Sequence, residues 1–244
     1  MSTGYVVTES TVEGASEHGD TALTKVTIGR DHGCERLEQR VIRFAPGRSR
    51  EREASGRDEL LYVVSGRGSL ELEGASHELE PDMGVYIRSG ERYAVDNPGP
   101  GELELVSVLA PATNGQRPNR RVTVRFDDQP ELRADAKRTF RYLVNQDAGC
   151  LDVTQFVGVV EPCRAPDHSH SYDEVGYILE GRGLAHLKDG RTIEIGTGSC
   201  FHLPPEQVHC IENVGPGVMR IMGVFHPSGD PASRSYDEAG ATTA

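Results

Sequence analysis

The chain repeats itself, and that constrains its fold more than any other feature. Asp31-x-Gly33-Cys34-x4-Gln39-x-Val41 reappears as Asp147-x-Gly149-Cys150-x4-Gln155-x-Val157, 116 residues on. Asn97-x-Gly99-Pro100-Gly101 returns as Asn213-x-Gly215-Pro216-Gly217 at the same offset. Between them, Val64-Ser-Gly66-Arg67-Gly68 matches Leu179-Glu-Gly181-Arg182-Gly183 at 115, so a single-residue indel lies on each side of that match. Two tandem copies of one unit follow, each of ordinary domain size. The expected division of the 244 residues is an N-terminal domain, 1–115, and a C-terminal domain, 116–244.

Each copy reads as strand rather than helix. Leu60-Leu-Tyr-Val-Val64, Ser69-Leu-Glu-Leu-Glu73 and Tyr177-Ile-Leu179 are short runs, β-rich or alternating, bounded by Gly, Pro, Asp or Asn. Turn signals recur about every ten residues, the rhythm of an all-β sandwich or barrel. The best helical candidate, 129–137, follows Asp127 and Asp128 as caps near the join of the copies. Residues 111–119 read as the linker, and 1–16 and 231–244 are small and polar enough to fray.

Charge and cysteines narrow the function classes. With 38 acidic residues against 26 basic ones, the net charge of −12 argues against nucleic acid or an anionic membrane as the main partner. No apolar run approaches the ~18 residues of a membrane span, and no charged segment followed by an apolar one opens the chain, so the expectation is a cytoplasmic protein. Five cysteines, an odd number with no Cys-x-x-Cys, argue against a disulfide framework.

Chemistry concentrates between residues 162 and 213. His168-Ser-His170-x3-Glu174 is followed by Gly181 and then by Gly198-x5-Pro204-x4-His209-x3-Asn213. On an extended segment His168 and His170 project to one face while Ser169 points away, a turn returns Glu174 to the same side, and a later strand supplies His209. Three imidazoles and one carboxylate suit a single divalent transition metal: Fe(II), Mn(II), Ni(II), Cu(II) or Zn(II). Cys210 faces away from a ligand at 209 and reads as packing.

These residues resemble the cupins, whose motifs run Gly-x5-His-x-His-x3/4-Glu-x6-Gly and Gly-x5-Pro-x-Gly-x2-His-x3-Asn. His168, His170, Glu174, Gly181, Gly198, Pro204, His209 and Asn213 all fall on that pattern. Pro162 and Glu206 depart from it, both at turn glycines. The resemblance implies two tandem double-stranded β-helix (jelly-roll) barrels, a bicupin, with the metal in the mouth of the second. The first copy keeps the frame without the ligands: Glu53, Ser55 and Tyr93 stand at the imidazole positions, and only Glu59 survives as a ligand type. That half reads as a metal-free scaffold and homodimerisation surface, or alternatively as a ligand pocket containing Tyr93 and Arg88.

Around the metal, His186, His202 and Tyr172 are the candidate acid/base or substrate-contacting groups, with Asp173 beside them. Gly176 and Ile178 share the face of Glu174, so a small apolar floor and a small substrate are expected. With Fe(II), first choice for the ion, a chelating enol, diol or thiol beside dioxygen gives dioxygenase chemistry. With Mn(II), Ni(II) or Zn(II), a Lewis acid gives hydrolysis, decarboxylation or isomerisation. The two-barrel arrangement is similar to that of the ureidoglycine aminohydrolases, whereas the ligand order is closer to quercetinase-type and acireductone-type dioxygenases. A binding protein without catalysis is the third reading; no basic helical segment suggests a DNA-binding sensor.

Overall fold

The computed structural model of the chain describes residues 4–54, 56–112 and 119–233. Among these the elements are strands and three single-turn 3-10 segments. Residues 129–137 do not form a helix. They contain the short strand Leu132–Arg133, which turns back on Arg138–Val144 and sets Leu132 opposite Phe140. The stretch carries too few apolar residues to stabilise an isolated helix by packing, whereas the hairpin gives Leu132 a cross-strand aromatic partner.

Each copy forms the expected double-stranded β-helix from one large and one small antiparallel sheet. In the first, the large sheet runs Thr123–Arg125, Met83–Ile87, Arg57–Ser65, Leu103–Pro111, Glu38–Phe44, Ala22–Ile28. In the second it runs Tyr5–Thr8, Ser199–Leu203, Asp173–Glu180, Met219–His226, Thr154–Val160, Arg138–Val144, Leu132–Arg133. Its small sheet joins Cys163–Arg164, His209–Asn213, Arg182–Leu187 and Thr192–Gly196.

The outermost strands cross between copies. Tyr5–Thr8 pairs with Ser199–Leu203 in the second barrel, and Thr123–Arg125 pairs with Met83–Ile87 in the first. The opening segment is therefore an ordered strand from Tyr5, not a frayed end. The expected boundary and most of the expected linker lie outside the described residues, as does the chain beyond 233.

Alternation places the two cores. In Asp173–Glu180, Val175 and Tyr177 enter a cluster shared with Leu60, Tyr62 and Val106 of the first copy, while Ile178 faces its own barrel interior with Ala185, Phe201 and Met219. The large sheets thus pack face to face. The repeated glutamines bridge them reciprocally: Gln39 donates to the Gly176 carbonyl at 3.2 Å and Gln155 to the Leu61 carbonyl at 3.3 Å. Gly66 and Gly181 recur because both have positive φ (85° and 91°), and at Gly66 a Cβ would lie 2.5 Å from the Glu102 carbonyl oxygen.

Candidate metal centre

Two strands, carrying Glu174 and His209, and the loop that holds His168 and His170 build the site. His168 and His209 form an isolated antiparallel bridge, each backbone N–H donating to the other's carbonyl at 3.0 and 2.8 Å. The Glu206 N–H donates to the His170 carbonyl at 2.6 Å. Glu206 stands where the family pattern has glycine, and its φ of 62° is the conformation glycine would take most easily. Glu174 arrives on the strand Asp173–Glu180, on the barrel-interior face.

The four side chains converge. His168, His170 and His209 each offer a ring nitrogen within 4.8 Å of the others. Glu174 Oε2 lies 3.7 Å from His170 Nε2 and 3.9 Å from His209 Nε2, too far for a hydrogen bond, and this buried oxygen has no partner. Nδ1 of His168 and of His209 each stands 2.8 Å from a backbone carbonyl, of Pro166 and Gln207, which fixes the rings and leaves Nε2 to coordinate.

Burial, with repulsion from the neighbouring imidazoles, lowers the His170 pKa to about 3, and burial with the His168 imidazole lowers His209 to about 4. Burial alone raises Glu174 to about 8. Neutral imidazoles around a carboxylate whose Oε2 has no partner fit a divalent cation, which would satisfy all four donors.

The other expected groups are distributed differently. Tyr172 stacks its ring on His170 (centroids 4.6 Å apart, 12° between planes) and donates its hydroxyl to the Asp230 carbonyl at 3.2 Å, so it braces a candidate ligand. His186 pairs instead with Glu212 at 2.7 Å and Thr192 at 3.2 Å, away from the cavity. His202 is fully buried between the barrels, with Nε2 3.0 Å from Asp173 Oδ1. Strand parity explains both placements: His202 alternates with Phe201 and Leu203, and His186 with Ala185 and Leu187, all four of which face the barrel interior. Cys210 is buried and its thiol donates to the Ala165 carbonyl, as a packing residue should.

The cavity beside the ligands has a volume of about 90 Å³. Its floor is aromatic rather than small, because Phe201 fills the space that the missing Cβ of Gly176 leaves, 2.1 Å from where that atom would be. Phe140, Phe156 and Phe225 continue the wall. Among the described residues one cation lines it, Arg138, which sequence reasoning missed: its guanidinium is paired with Asp135, Nε donating to Oδ2 at 2.8 Å and Nη2 standing 2.8 Å from the same oxygen. Arg138 lies 30 residues before His168 and carries no motif; only the strand alternation of 138–144 could have flagged it.

In the first barrel Glu59 is buried and accepts from the Tyr93 hydroxyl at 3.0 Å and from the Ser107 hydroxyl. Tyr93 lines a polar cavity there with Arg52 and Arg57, and Glu53 lies at its exposed rim. Arg88 is not part of that cavity; it lies over the Tyr86 ring. Ser55 is outside the described residues.

Residues 40–109 and 157–225 each match the Cupin domain (Cupin_2) family, one match per copy and together more than half of the chain. The chain is a member of the cupin family. Among solved structures, this bicupin superposes on a putative glyoxylate-induced protein of Pseudomonas aeruginosa (TM-score 0.78, 19% identity, 97% of this chain and 92% of that one). It also superposes on an oxalate decarboxylase of Bacillus subtilis (TM-score 0.75, 14% identity, 92% and 78%). Of curated relatives, an uncharacterized protein of Methanocaldococcus jannaschii is 39% identical over 61 residues, 25% of this chain and 48% of its own length. A protein named polyketide synthase CurC, from Streptomyces cyaneus, is 35% identical over 92 residues, 37% and 57%. The matches span about half the length of those relatives. No helix among the described residues is long and apolar enough to cross a membrane.

Proposed function

We propose that this cupin is a metal-dependent oxygenase for a small anionic substrate that enolises and chelates, with Fe(II) as the ion. The observation that carries this is the lack, among the described residues lining the cavity, of any imidazole, carboxyl or phenol besides the four ligands. His186, His202 and the Tyr172 hydroxyl are all engaged elsewhere. Hydrolysis or isomerisation needs a proton carrier within reach of the reacting atoms. An oxygenase depends instead on the ion and on a substrate that arrives as its own enolate.

His168, His170, Glu174 and His209 would hold the ion, which supplies redox chemistry and open coordination positions when bound. Glu174 would release its proton to solvent on binding the ion. Arg138, paired with Asp135 at the cavity wall, places a positive charge there that orients a carboxylate or enolate oxygen. The phenylalanines exclude water and hold a planar carbon skeleton. The relative named as a polyketide synthase supports this substrate class, because polyketide intermediates are β-dicarbonyl compounds that enolise.

A second reading, Lewis-acid decarboxylation or hydrolysis of a short carboxylate, is favoured by the small cavity and Arg138. Elemental analysis of protein purified without added metal or chelator, with oxygen uptake on enols, catechols and diketones, separates the two. About one iron at this site with substrate-dependent oxygen uptake supports the oxygenase. Manganese, nickel or zinc with turnover but no uptake moves the assignment to Lewis-acid chemistry. Ligand binding without turnover under any metal leaves a binding module.

A further inference from the structure

We propose a second metal site, of the zinc class, in the interface between the two barrels, formed by Cys34, Asp173 and His202. One donor atom from each lies within 4.8 Å of the other two. Cys34 comes from the first copy, while Asp173 and His202 come from the adjacent strands Asp173–Glu180 and Ser199–Leu203 of the second. Cys34 and His202 have no exposed surface. The site is distinct from the first one, because Asp173 and Glu174 are successive residues on a strand and leave it on opposite faces.

The donor set matches the charge of a divalent ion once the Cys34 thiol, which burial keeps protonated, gives up its proton. A thiolate and a carboxylate neutralise a divalent cation, and an imidazole completes three of the four donors that Zn(II) takes. On binding, the Cys34 thiol proton leaves to solvent as the sulfur–metal bond forms. The Nδ1 atom of His202 is buried without a partner, so hydrogen bonding alone does not satisfy this group. His226 stands across from Asp173 on the neighbouring strand but is not among the three grouped donors, so a fourth position would fall to water or to a shift of this side chain. Surface hollows reach the cluster from two sides, one lined by Cys34 with Leu37 and Arg57, the other by Asp173 with Gly33 and Pro205.

The repeat supplies an internal control. Cys150, Asp58 and Tyr86 occupy the equivalent places in the other half of the interface. There the Tyr86 hydroxyl donates to Asp58 at 2.9 Å and the Ser89 N–H donates to the same carboxylate at 2.9 Å. Burial keeps the phenol protonated, so that cluster is complete without an ion. Histidine in place of tyrosine makes its twin a ligand set.

The test is cobalt substitution of the full-length protein, read by absorption and by metal equivalents per chain. Two equivalents and a thiolate-to-cobalt charge-transfer band are expected in the wild type. H170A should lose one equivalent and keep the band; C34S should lose the band and the other equivalent while retaining the ion at the His/Glu site. A wild-type spectrum without the band overturns the proposal whether or not C34S folds, and so does a band that survives in C34S. Zinc should also raise the thermal midpoint of H170A.

Discussion

Glu59 and Glu174 occupy the same place in two copies of one barrel, and both are buried. Glu59 is satisfied by two hydroxyls, Tyr93 and Ser107. Glu174 faces imidazoles that do not bond it, and its Oε2 is an orphan. The contrast teaches what a metal site requires of a scaffold: the carboxylate is common to both copies, and the difference lies in whether its neighbours complete it or leave it incomplete. The first barrel closes its hydrogen-bond network around the carboxylate, and the second leaves an open donor set of the kind a metal centre needs.

The sharpest way to break the comparison is to remove a donor. His209→Ala or His170→Ala should empty the His/Glu site, a loss larger than the ten- to hundredfold that outer-shell changes cost, while circular dichroism stays that of a folded barrel. Retention of a full equivalent at that site would mean that the four residues do not form it. Arg138→Gln should raise KM by roughly tenfold or more with little change in metal content, as expected when a charge-assisted contact worth about 1.5–3 kcal/mol is removed.

Acidity gives a gentler test. Because the folded, metal-free protein holds the Glu174 proton up to about pH 8, an incoming ion must displace it below that pH. Affinity at the His/Glu site should therefore fall about tenfold per unit as pH drops from 8 toward 6.5, and level off above 8. The metal-free protein should lose stability over the same interval: the Glu174 pKa is above its ordinary 4.5, so folding binds a proton that is lost as pH rises through 8. His170 and His209, lowered to about 3 and 4, add stability only as pH rises toward 6.5, which keeps the window from 6.5 to 8 clean. Urea midpoints of wild-type, chelator-treated protein at pH 6.5 and 8 measure this.

On the other side of the comparison, Tyr93→Phe should leave metal content untouched. It should cost about 1–3 kcal/mol of stability, because Glu59 would lose one of its two donors. Loss of metal on that change would reverse the roles of the barrels. The smallest effect expected is a gain: Glu206→Gly relieves a left-handed residue by about 1 kcal/mol and should raise the unfolding midpoint slightly.

The convergence of the four candidate donors was legible because their spacing is local: His168 and His170 share a face by parity, and Pro204 to Asn213 is one turn and one strand. The repeat made the two barrels legible for the same reason. The placements of His202 and His186 were not, since each follows a turn that can shift parity by one residue, and a shift of one moves a side chain from the cavity to the opposite face of its sheet. Arg138 joins the site only through the barrel's closure. Tyr5–Thr8 carries no local mark of a strand that pairs with residues some 190 positions later.

That pairing makes the duplication inseparable. A cut near residue 115 would leave Ser199–Leu203 without its edge neighbour in one fragment and Met83–Ile87 without its own in the other, baring ladders of N–H and C=O groups that invite aggregation. Each fragment would also expose the apolar sheet face that now packs on its twin. The two copies should accordingly melt in a single cooperative transition, and a split chain should recover solubility only when both pieces are made together.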